Sequence, residues 1–310
     1  MKTPLISTRI PATSANLGAG FDALGMALSL YNIFNVRELL PDRTFSCDVV
    51  GEGARELAKP EDNMVVQSYL KACEVWNVKP RGLALECHNV IPLCRGLGSS
   101  STAVVAGVLL ADAIGGMNKD IDELLRVMTK IEGHPDNVAP CFLGGMTVSC
   151  WDGKDLRYVK LPPLPEDLHV VAAVPDVLVR TQDARRALPK EVPFGDAVFN
   201  LGRAALLCAA WATGQWEHLA WGMADRLHQP YRSRLFPGGE IIMDRVRDIP
   251  GCVGVAISGS GPTVAALVRG DVGMVASTLC RTFSEHGVAS QFFVLRGTAD
   301  GARVVKYGKI

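Results

Sequence analysis

Apolar and polar residues alternate in several short stretches of the chain, and a period of two is typical of strands with one buried face. Residues 82–89, which read Gly-Leu-Ala-Leu-Glu-Cys-His-Asn, show this alternation clearly. Segments rich in β-prone apolar residues extend the pattern. We therefore predict strands at 3–10, 24–38, 45–50, 82–89, 144–151, 168–174, 254–257, 263–268 and 290–295.

Other stretches repeat their apolar residues every three to four positions, which is typical of helices. The acidic start Asp120-Ile-Asp-Glu123 suits the positive end of a helix dipole. We predict helices at 64–76, 99–114, 120–132, 197–213, 217–226, 241–248 and 272–285. Because strands and helices mix without strict alternation, the pattern favours the α+β class.

A proline-rich segment, Leu161-Pro-Pro-Leu-Pro-Glu-Asp167, is the clearest change of composition along the chain. A chain of 310 residues is long enough for two domains. We therefore predict an N-terminal domain at 1–160 and a C-terminal domain at 161–310.

Composition narrows the class of ligand and the compartment. Lys plus Arg and Asp plus Glu each total 32, so the net charge is zero and no general attraction for nucleic acid is expected. Nine cysteines without a Cys-x-x-Cys pair argue against a zinc site or a disulfide framework and favour a reducing compartment. Residues 1–9 lack a signal-peptide apolar stretch, and the apolar run at 103–114 is shorter than the ~20 residues of a membrane helix. We expect a cytoplasmic protein with a small-molecule ligand and no membrane partner.

The segment Ile91-Pro-Leu-Cys-Arg-Gly-Leu-Gly-Ser-Ser-Ser-Thr102 carries the most specific chemistry. Gly96 and Gly98 let the backbone turn tightly, and the hydroxyl run falls where a helix begins. Unpaired amides and the dipole at a helix N-terminus attract phosphate. An ordinary capped turn before a core helix is the alternative. The P-loop and dinucleotide fingerprints do not fit, because Ser99 stands in place of a lysine and Ser101 in place of a third glycine.

Two further glycine-rich loops follow strands, at 10–22 (Ile-Pro-Ala-Thr-Ser-Ala-Asn-Leu-Gly-Ala-Gly-Phe-Asp) and 254–263 (Gly-Val-Ala-Ile-Ser-Gly-Ser-Gly-Pro-Thr). Each alone also fits a structural turn. Together with 92–102, they resemble the three signature motifs of the GHMP superfamily of galactokinase, homoserine kinase, mevalonate kinase and phosphomevalonate kinase. The resemblance implies an ATP-dependent kinase whose N-terminal ATP-binding domain is a ribosomal-protein-like α/β domain. It implies a ferredoxin-like α+β C-terminal domain.

Three other segments resemble the homoserine kinase family within that superfamily. They are 132–140 (Glu-Gly-His-Pro-Asp-Asn-Val-Ala-Pro), 181–189 (Thr-Gln-Asp-Ala-Arg-Arg-Ala-Leu-Pro) and 228–234 (His-Gln-Pro-Tyr-Arg-Ser-Arg). Ser101 and Thr102 depart from the family pattern, which usually has alanine there. The resemblance implies transfer of the γ-phosphate of ATP to the hydroxyl of L-homoserine, giving O-phospho-L-homoserine in threonine biosynthesis. A mevalonate, sugar or isoprenoid-precursor kinase is the alternative, and a non-catalytic nucleic-acid binder is a third hypothesis.

The resemblance also implies roles for individual residues. Substrate would contact Asn16, Asp22, His134, Asn137, Arg185, Arg232 and Gly259. The arginines suit a carboxylate and Asp22 an ammonium group. ATP would contact Pro92, Leu93, Cys94, Arg95, Gly96, Leu97, Gly98, Ser99, Ser100, Ser101 and Thr102.

Phosphoryl transfer further requires neutralisation of phosphate charge, and the resemblance implies Mg²⁺ on Ser100 and Glu132. Glu132, Asn137 and His134 are the implied catalytic residues. Either the reaction uses no dedicated base, or His134 serves as one. Apolar helices such as 204–211 fit either a homodimer interface or the core.

Overall fold

The structure, a computed structural model, describes residues 3–308. Terminal residues 1, 2, 309 and 310 of the two predicted domains therefore lie outside the described residues. Eleven strands occur in the described part: β1 (Ile6–Ala15), β2 (Leu24–Leu40), β3 (Phe45–Gly51), β4 (Gly82–Asn89), β5 (Met146–Trp151), β6 (Leu156–Leu161), β7 (Leu168–Pro175), β8 (Cys252–Ile257), β9 (Val264–Arg269), β10 (Ser290–Leu295) and β11 (Arg303–Lys306).

Ten α-helices accompany these strands within residues 3–308, and the α+β class is confirmed. They are α1 (Met64–Val75), α2 (Ser99–Gly115), α3 (Ile121–Glu132), α4 (Pro135–Leu143), α5 (Thr181–Arg186), α6 (Phe194–Thr213), α7 (Leu219–Gly222), α8 (Gln229–Arg232), α9 (Gly239–Arg247) and α10 (Val272–Glu285). No helix in this part of the chain is both long and apolar enough to cross a membrane.

The first sheet has seven strands in the order β11-β1-β2-β4-β3, with β5 joined to β2 and β6 to β5. Helices α1 to α4 pack on it, and their buried residues form one core with strand residues such as Phe34 and Leu85. Strand β2 is long enough to pair with β1, β4 and β5. The end of β1, around Thr13, therefore lies beside the helix layer that carries the predicted site.

The second sheet has four antiparallel strands in the order β10-β7-β9-β8. Alternate residues of β7 face opposite ways. Val171 and Ala173 join a core with α9 and α10, whereas Val170 and Ala172 join a core that includes Leu97 and other residues from the first half of the chain. Burial on both faces explains why the strand is a continuous apolar run.

The structure departs from the predicted elements in the second half of the chain. The predicted helix at 217–226 is wrong in extent, since α7 ends at Gly222. Beyond it, the Asp225 carboxylate accepts hydrogen bonds from the backbone amides of Leu227, His228 and Gln229, which favours a turn. Strand β11 was not predicted, and it pairs with β1 in the first sheet. The end of the chain therefore returns to the first sheet. The predicted division assigns this segment to the C-terminal domain at 161–310.

Four further elements were missed: β6, α4, α5 and α8. Helix α4 has only nine residues and includes Pro135 and Pro140, which weaken a helical pattern. Pro135 stands in the first turn, where a missing N–H costs nothing, with His134 as the N-cap. The first turn of α4 carries Asp136 and Asn137 into the site.

Candidate functional site

The glycine-rich loop before α2 adopts the geometry expected of a phosphate cradle. Cys94, Gly96 and Gly98 all have positive φ, at 53°, 83° and 73°. A Cβ on Gly96 would lie 2.2 Å from the Ser258 carbonyl oxygen, so only glycine fits that close approach. Helix α2 begins at Ser99 without a side-chain cap, which leaves its first amides for a ligand.

The three glycine-rich loops meet at one place. The Ser258 hydroxyl lies 2.7 Å from the Gly96 carbonyl oxygen and 2.9 Å from the Ser14 hydroxyl. The Gly259 amide donates to the Ala15 carbonyl at 3.1 Å. Segments more than 150 residues apart in the sequence therefore form one wall of a cavity of about 110 Å³.

Most of the predicted site residues line this cavity. All seven predicted substrate residues and both predicted metal ligands do so, as do eight residues of the predicted nucleotide loop: Pro92, Cys94, Arg95, Gly96, Gly98, Ser99, Ser100 and Ser101. Leu93, Leu97 and Thr102 do not; Leu97 and Thr102 are fully buried and support the loop from behind. The cavity is also lined by four residues that were not predicted as site residues: Asp136, Val179, Thr181 and Ser260. All of these except Val179 lie within the motifs described above.

One end of the cavity holds the charged groups predicted for a zwitterion. Asp22 accepts two hydrogen bonds from the Arg185 guanidinium, both at 2.9 Å, and these bonds raise the pKa of Arg185. Arg232 is only 2% exposed and donates to the Gly259 carbonyl at 2.9 Å. Burial lowers the pKa of Arg232. Asn16 donates to the same carbonyl and accepts from the Asp22 amide, and so fixes the loop that carries Asp22.

Another acidic group of the cavity, Glu132, lies at the end of α3. Its carboxylate accepts a hydrogen bond from the Ser101 hydroxyl at 2.7 Å, and burial raises its pKa. Ser100 was predicted to hold the metal with Glu132, but Ser101 is the residue that contacts Glu132, because Ser101 is turned inward and Ser100 is exposed. A helix advances about 100° per residue, so neighbours in the hydroxyl run face different directions.

Three polar residues at the start of α4 complete the site. His134 Nδ1 lies 2.5 Å from Asp136 Oδ1. Burial by itself lowers the pKa of His134, but the carboxylates of Asp136, Glu132 and Asp22 together outweigh that effect and the net shift is upward. Asn137 Oδ1 accepts a hydrogen bond from the Thr13 hydroxyl at 2.9 Å. The protonated form of His134 is therefore favoured, and Asn137 has a fixed orientation.

The oxygen groups beside α2 suit Mg²⁺, which prefers carboxylate and hydroxyl ligands and retains several waters. Glu132 forms no ion pair with lysine or arginine within residues 3–308, and the charge of His134 lowers its pKa less than burial raises it. A bound divalent cation would add positive charge that favours the ionised carboxylate. The residues present therefore fit Mg²⁺, the metal predicted from the sequence.

The known proteins that this chain resembles are kinases, in agreement with the geometry of the site. Residues 63–145 match the model of the GHMP kinases N terminal domain, and residues 209–285 match that of the GHMP kinases C terminal domain. The chain is 44% identical over 298 residues to "Homoserine kinase" of Carboxydothermus hydrogenoformans, with 96% of each chain covered. It is also 44% identical to the Streptomyces coelicolor "Homoserine kinase" over 271 residues, which cover 86% of this chain and 85% of that one.

Solved structures show the same two-domain fold. The crystal structure of homoserine kinase from Cytophaga hutchinsonii matches with a TM-score of 0.81 at 30% identity and covers 98% of both chains. A mevalonate kinase from L. major shares the fold, with a TM-score of 0.70 at 13% identity and 97% of both chains covered. From the motifs, the fold and these likenesses together, the chain belongs to the GHMP kinases and, within them, to the homoserine kinase family.

Proposed function

We propose that this chain transfers the γ-phosphate of ATP to the hydroxyl of L-homoserine, giving ADP and O-phospho-L-homoserine for threonine biosynthesis. The observation that carries the proposal is the layout of one cavity. A phosphate cradle at the N-terminus of α2 faces a cluster of two arginines and an aspartate across it. ATP is the donor that the GHMP kinase family uses.

The acceptor end suits an amino acid better than a neutral sugar. Arg232 and Arg185 offer guanidinium groups to a carboxylate, and Asp22 offers a carboxylate to an ammonium group. The side-chain ligand atoms of Asp22, His134 and Asp136 lie within 4.8 Å of one another, so two carboxylates stand near the position proposed for the ammonium group. A hydroxyl two carbons from the zwitterion would then point toward the phosphate cradle.

The phosphates would lie on the amides of Gly96 to Ser101, where the α2 dipole stabilises negative charge. We propose Mg²⁺ as the cofactor, held by Glu132 with Ser100 or Ser101. When bound, the metal neutralises phosphate charge during transfer. Glu132 and the loop hold the phosphates in line with the acceptor hydroxyl.

The structure favours a reaction without a dedicated protein base. The carboxylates of Asp136, Glu132 and Asp22 raise the pKa of His134, which favours the protonated imidazole over the form that could accept the hydroxyl proton. The Asn137 amide has no basic nitrogen. We propose that the hydroxyl proton passes to a phosphate oxygen, while Asn16 and Asn137 orient the acceptor.

A coupled assay of ADP release tests the assignment, with Mg-ATP and homoserine, threonine, mevalonate or galactose in turn. We expect homoserine to give the highest kcat/KM. Preference for another alcohol would remove the substrate assignment, and absence of any ATP turnover would remove the kinase proposal.

We propose that the protein is a homodimer in the cytoplasm. Phe194, Val198 and Leu201 project from one face of α6 and are 84%, 52% and 73% exposed. Such a contiguous apolar face is typical of a surface that a partner covers. The nine free thiols fit a reducing compartment. Light scattering after size exclusion should give twice the 33.2 kDa chain mass, and Leu201→Glu should lower it.

A further inference from the structure

Thr13 lies between the two halves of the proposed reaction site, although it does not line the cavity. It is a fully buried residue near the end of β1. Its backbone amide donates to the Leu97 carbonyl of the phosphate loop at 3.1 Å. Its hydroxyl donates to Asn137 Oδ1 in the first turn of α4 at 2.9 Å. One residue therefore contacts both the nucleotide side and the acceptor side.

The second of these hydrogen bonds decides which atoms of Asn137 face the cavity. A primary amide has one acceptor oxygen and one donor NH₂ group. Because Thr13 holds the oxygen, the NH₂ group is the part of Asn137 that is left for a ligand. If the Asn137 amide were turned the other way, the Thr13 hydroxyl would lose its acceptor, because Asn137 Oδ1 is the acceptor that this hydroxyl has within residues 3–308.

Tight packing keeps the Thr13 side chain in place. A Cβ on Gly98 would lie 2.1 Å from the Thr13 hydroxyl oxygen, so the loop backbone passes directly against that oxygen. Asn137 is 9% exposed and has little room to turn. The contact joins residues 124 positions apart.

We propose that Thr13 is a positioning residue that holds the Asn137 NH₂ group toward the reacting oxygens and keeps α4 in register with the phosphate loop. This inference rests on the proposed kinase function. A fixed N–H donor stabilises oxygen charge that develops in the transition state without reorganisation at the moment of transfer. An Asn137 side chain free to rotate would present its carbonyl oxygen, which repels a phosphate oxygen, for part of the time.

The test compares Thr13→Val, which removes the hydroxyl, with Thr13→Ser, which keeps it. We expect Thr13→Val to lower kcat about 10- to 100-fold, less than the ~100- to 1,000-fold cost of losing a transition-state donor outright. The KM values for ATP and homoserine should change less than about threefold, since ground-state contacts remain. Thr13→Ser should restore most of kcat.

Thr8→Val provides a matched control on the same strand. Thr8 is also fully buried, and its hydroxyl donates to the Phe34 carbonyl at 3.2 Å, far from the loop. Both valine variants lose one buried hydrogen bond, so urea unfolding should give similar losses of stability. Only Thr13→Val should have a lower kcat than the unaltered protein. Equal losses of kcat in the two variants would show that the effect is structural and would overturn the proposal.

A double-mutant cycle with Asn137→Ala tests the mechanism. If Thr13 acts through Asn137, adding Thr13→Val to Asn137→Ala should lower kcat less than twofold further. If the double variant loses kcat by the product of the two single losses, the proposal is overturned. Every rate is measured with the acceptor that the unaltered protein phosphorylates fastest. An acceptor other than homoserine would therefore contradict the proposed function, while the cycle would still decide the role of Thr13.

Discussion

Asp22 and Arg185, the two residues predicted to bind opposite ends of a zwitterion, bind each other through two hydrogen bonds of 2.9 Å. Their side chains are 35% and 38% exposed, so the pair lies at the mouth of the cavity. A substrate that carries both charges can replace both partners at once. A substrate with a carboxylate alone would leave Asp22 without a cation. The pair therefore favours amino acids.

Asp22→Asn tests this selectivity. We expect the KM for homoserine to rise about 10- to 100-fold, because a charge-assisted contact of ~1.5–3 kcal/mol is lost, while the KM for ATP stays within about twofold. Stability should fall by no more than ~1 kcal/mol, since partly exposed ion pairs contribute little. Asp183→Asn is the control. Asp183 lies on α5, the helix that carries Arg185, but it is exposed and pairs with Arg186. An unchanged KM for homoserine would contradict the assigned role of Asp22.

Ser101→Ala tests the contact between Ser101 and Glu132. Loss of this hydrogen bond should weaken Mn²⁺ binding to the ATP complex, measured by electron paramagnetic resonance, about 3- to 10-fold, as ~0.5–1.5 kcal/mol implies. Glu132→Ala should weaken it further and lower kcat at least about 100-fold. Ser68→Ala is the control, because Ser68 is buried on α1 without a hydrogen-bond partner in the described structure. If Ser101→Ala and Ser68→Ala bind Mn²⁺ equally well, Ser101 has no role in holding the metal.

His228 should make the protein less stable in acid. It is fully buried, its Nε2 donates to the Gly18 carbonyl at 2.8 Å, and burial lowers its pKa. The unfolded chain therefore binds the extra proton more readily, and stability is lost as the pH falls below the ordinary value of about 6.5.

Urea unfolding at pH 7 and pH 5 measures this effect. His228→Gln places an uncharged donor near the same carbonyl and should make the difference between the two pH values smaller. His286→Gln, at an exposed position, is the control and should leave it unchanged. A pH dependence that is the same in His228→Gln as in the unaltered protein would show that other groups cause it.

Cys94 should report on nucleotide binding. It is exposed, lines the cavity and belongs to the phosphate loop. N-ethylmaleimide should therefore inactivate the enzyme, and ATP should slow the inactivation. Cys94→Ser should resist the reagent, whereas Cys150→Ser, at another exposed cysteine, should remain sensitive. Inactivation that ATP does not slow would place the nucleotide away from this loop.

Much of the site could be predicted from the sequence because its signals are local. Glycine at 96 and 98 marks left-handed backbone, and hydroxyl residues at the start of α2 mark a phosphate cradle. Period-two and period-3.6 patterns predicted most strands and helices. Ser101 shows the limit, since the motif gave a run of hydroxyls but only the helix phase determined which one turns toward Glu132.

The sequence by itself determined most of the elements, the three loops and the residue types that the chemistry needs, because neighbouring residues govern backbone angles and periodicity. Only the tertiary structure decided which side chains meet. Asp22 reaches Arg185 across 163 positions, Thr13 reaches Asn137 across 124, and β11 returns to β1 from the end of the chain. Such contacts depend on how whole sheets and helices pack, and no local pattern encodes that packing.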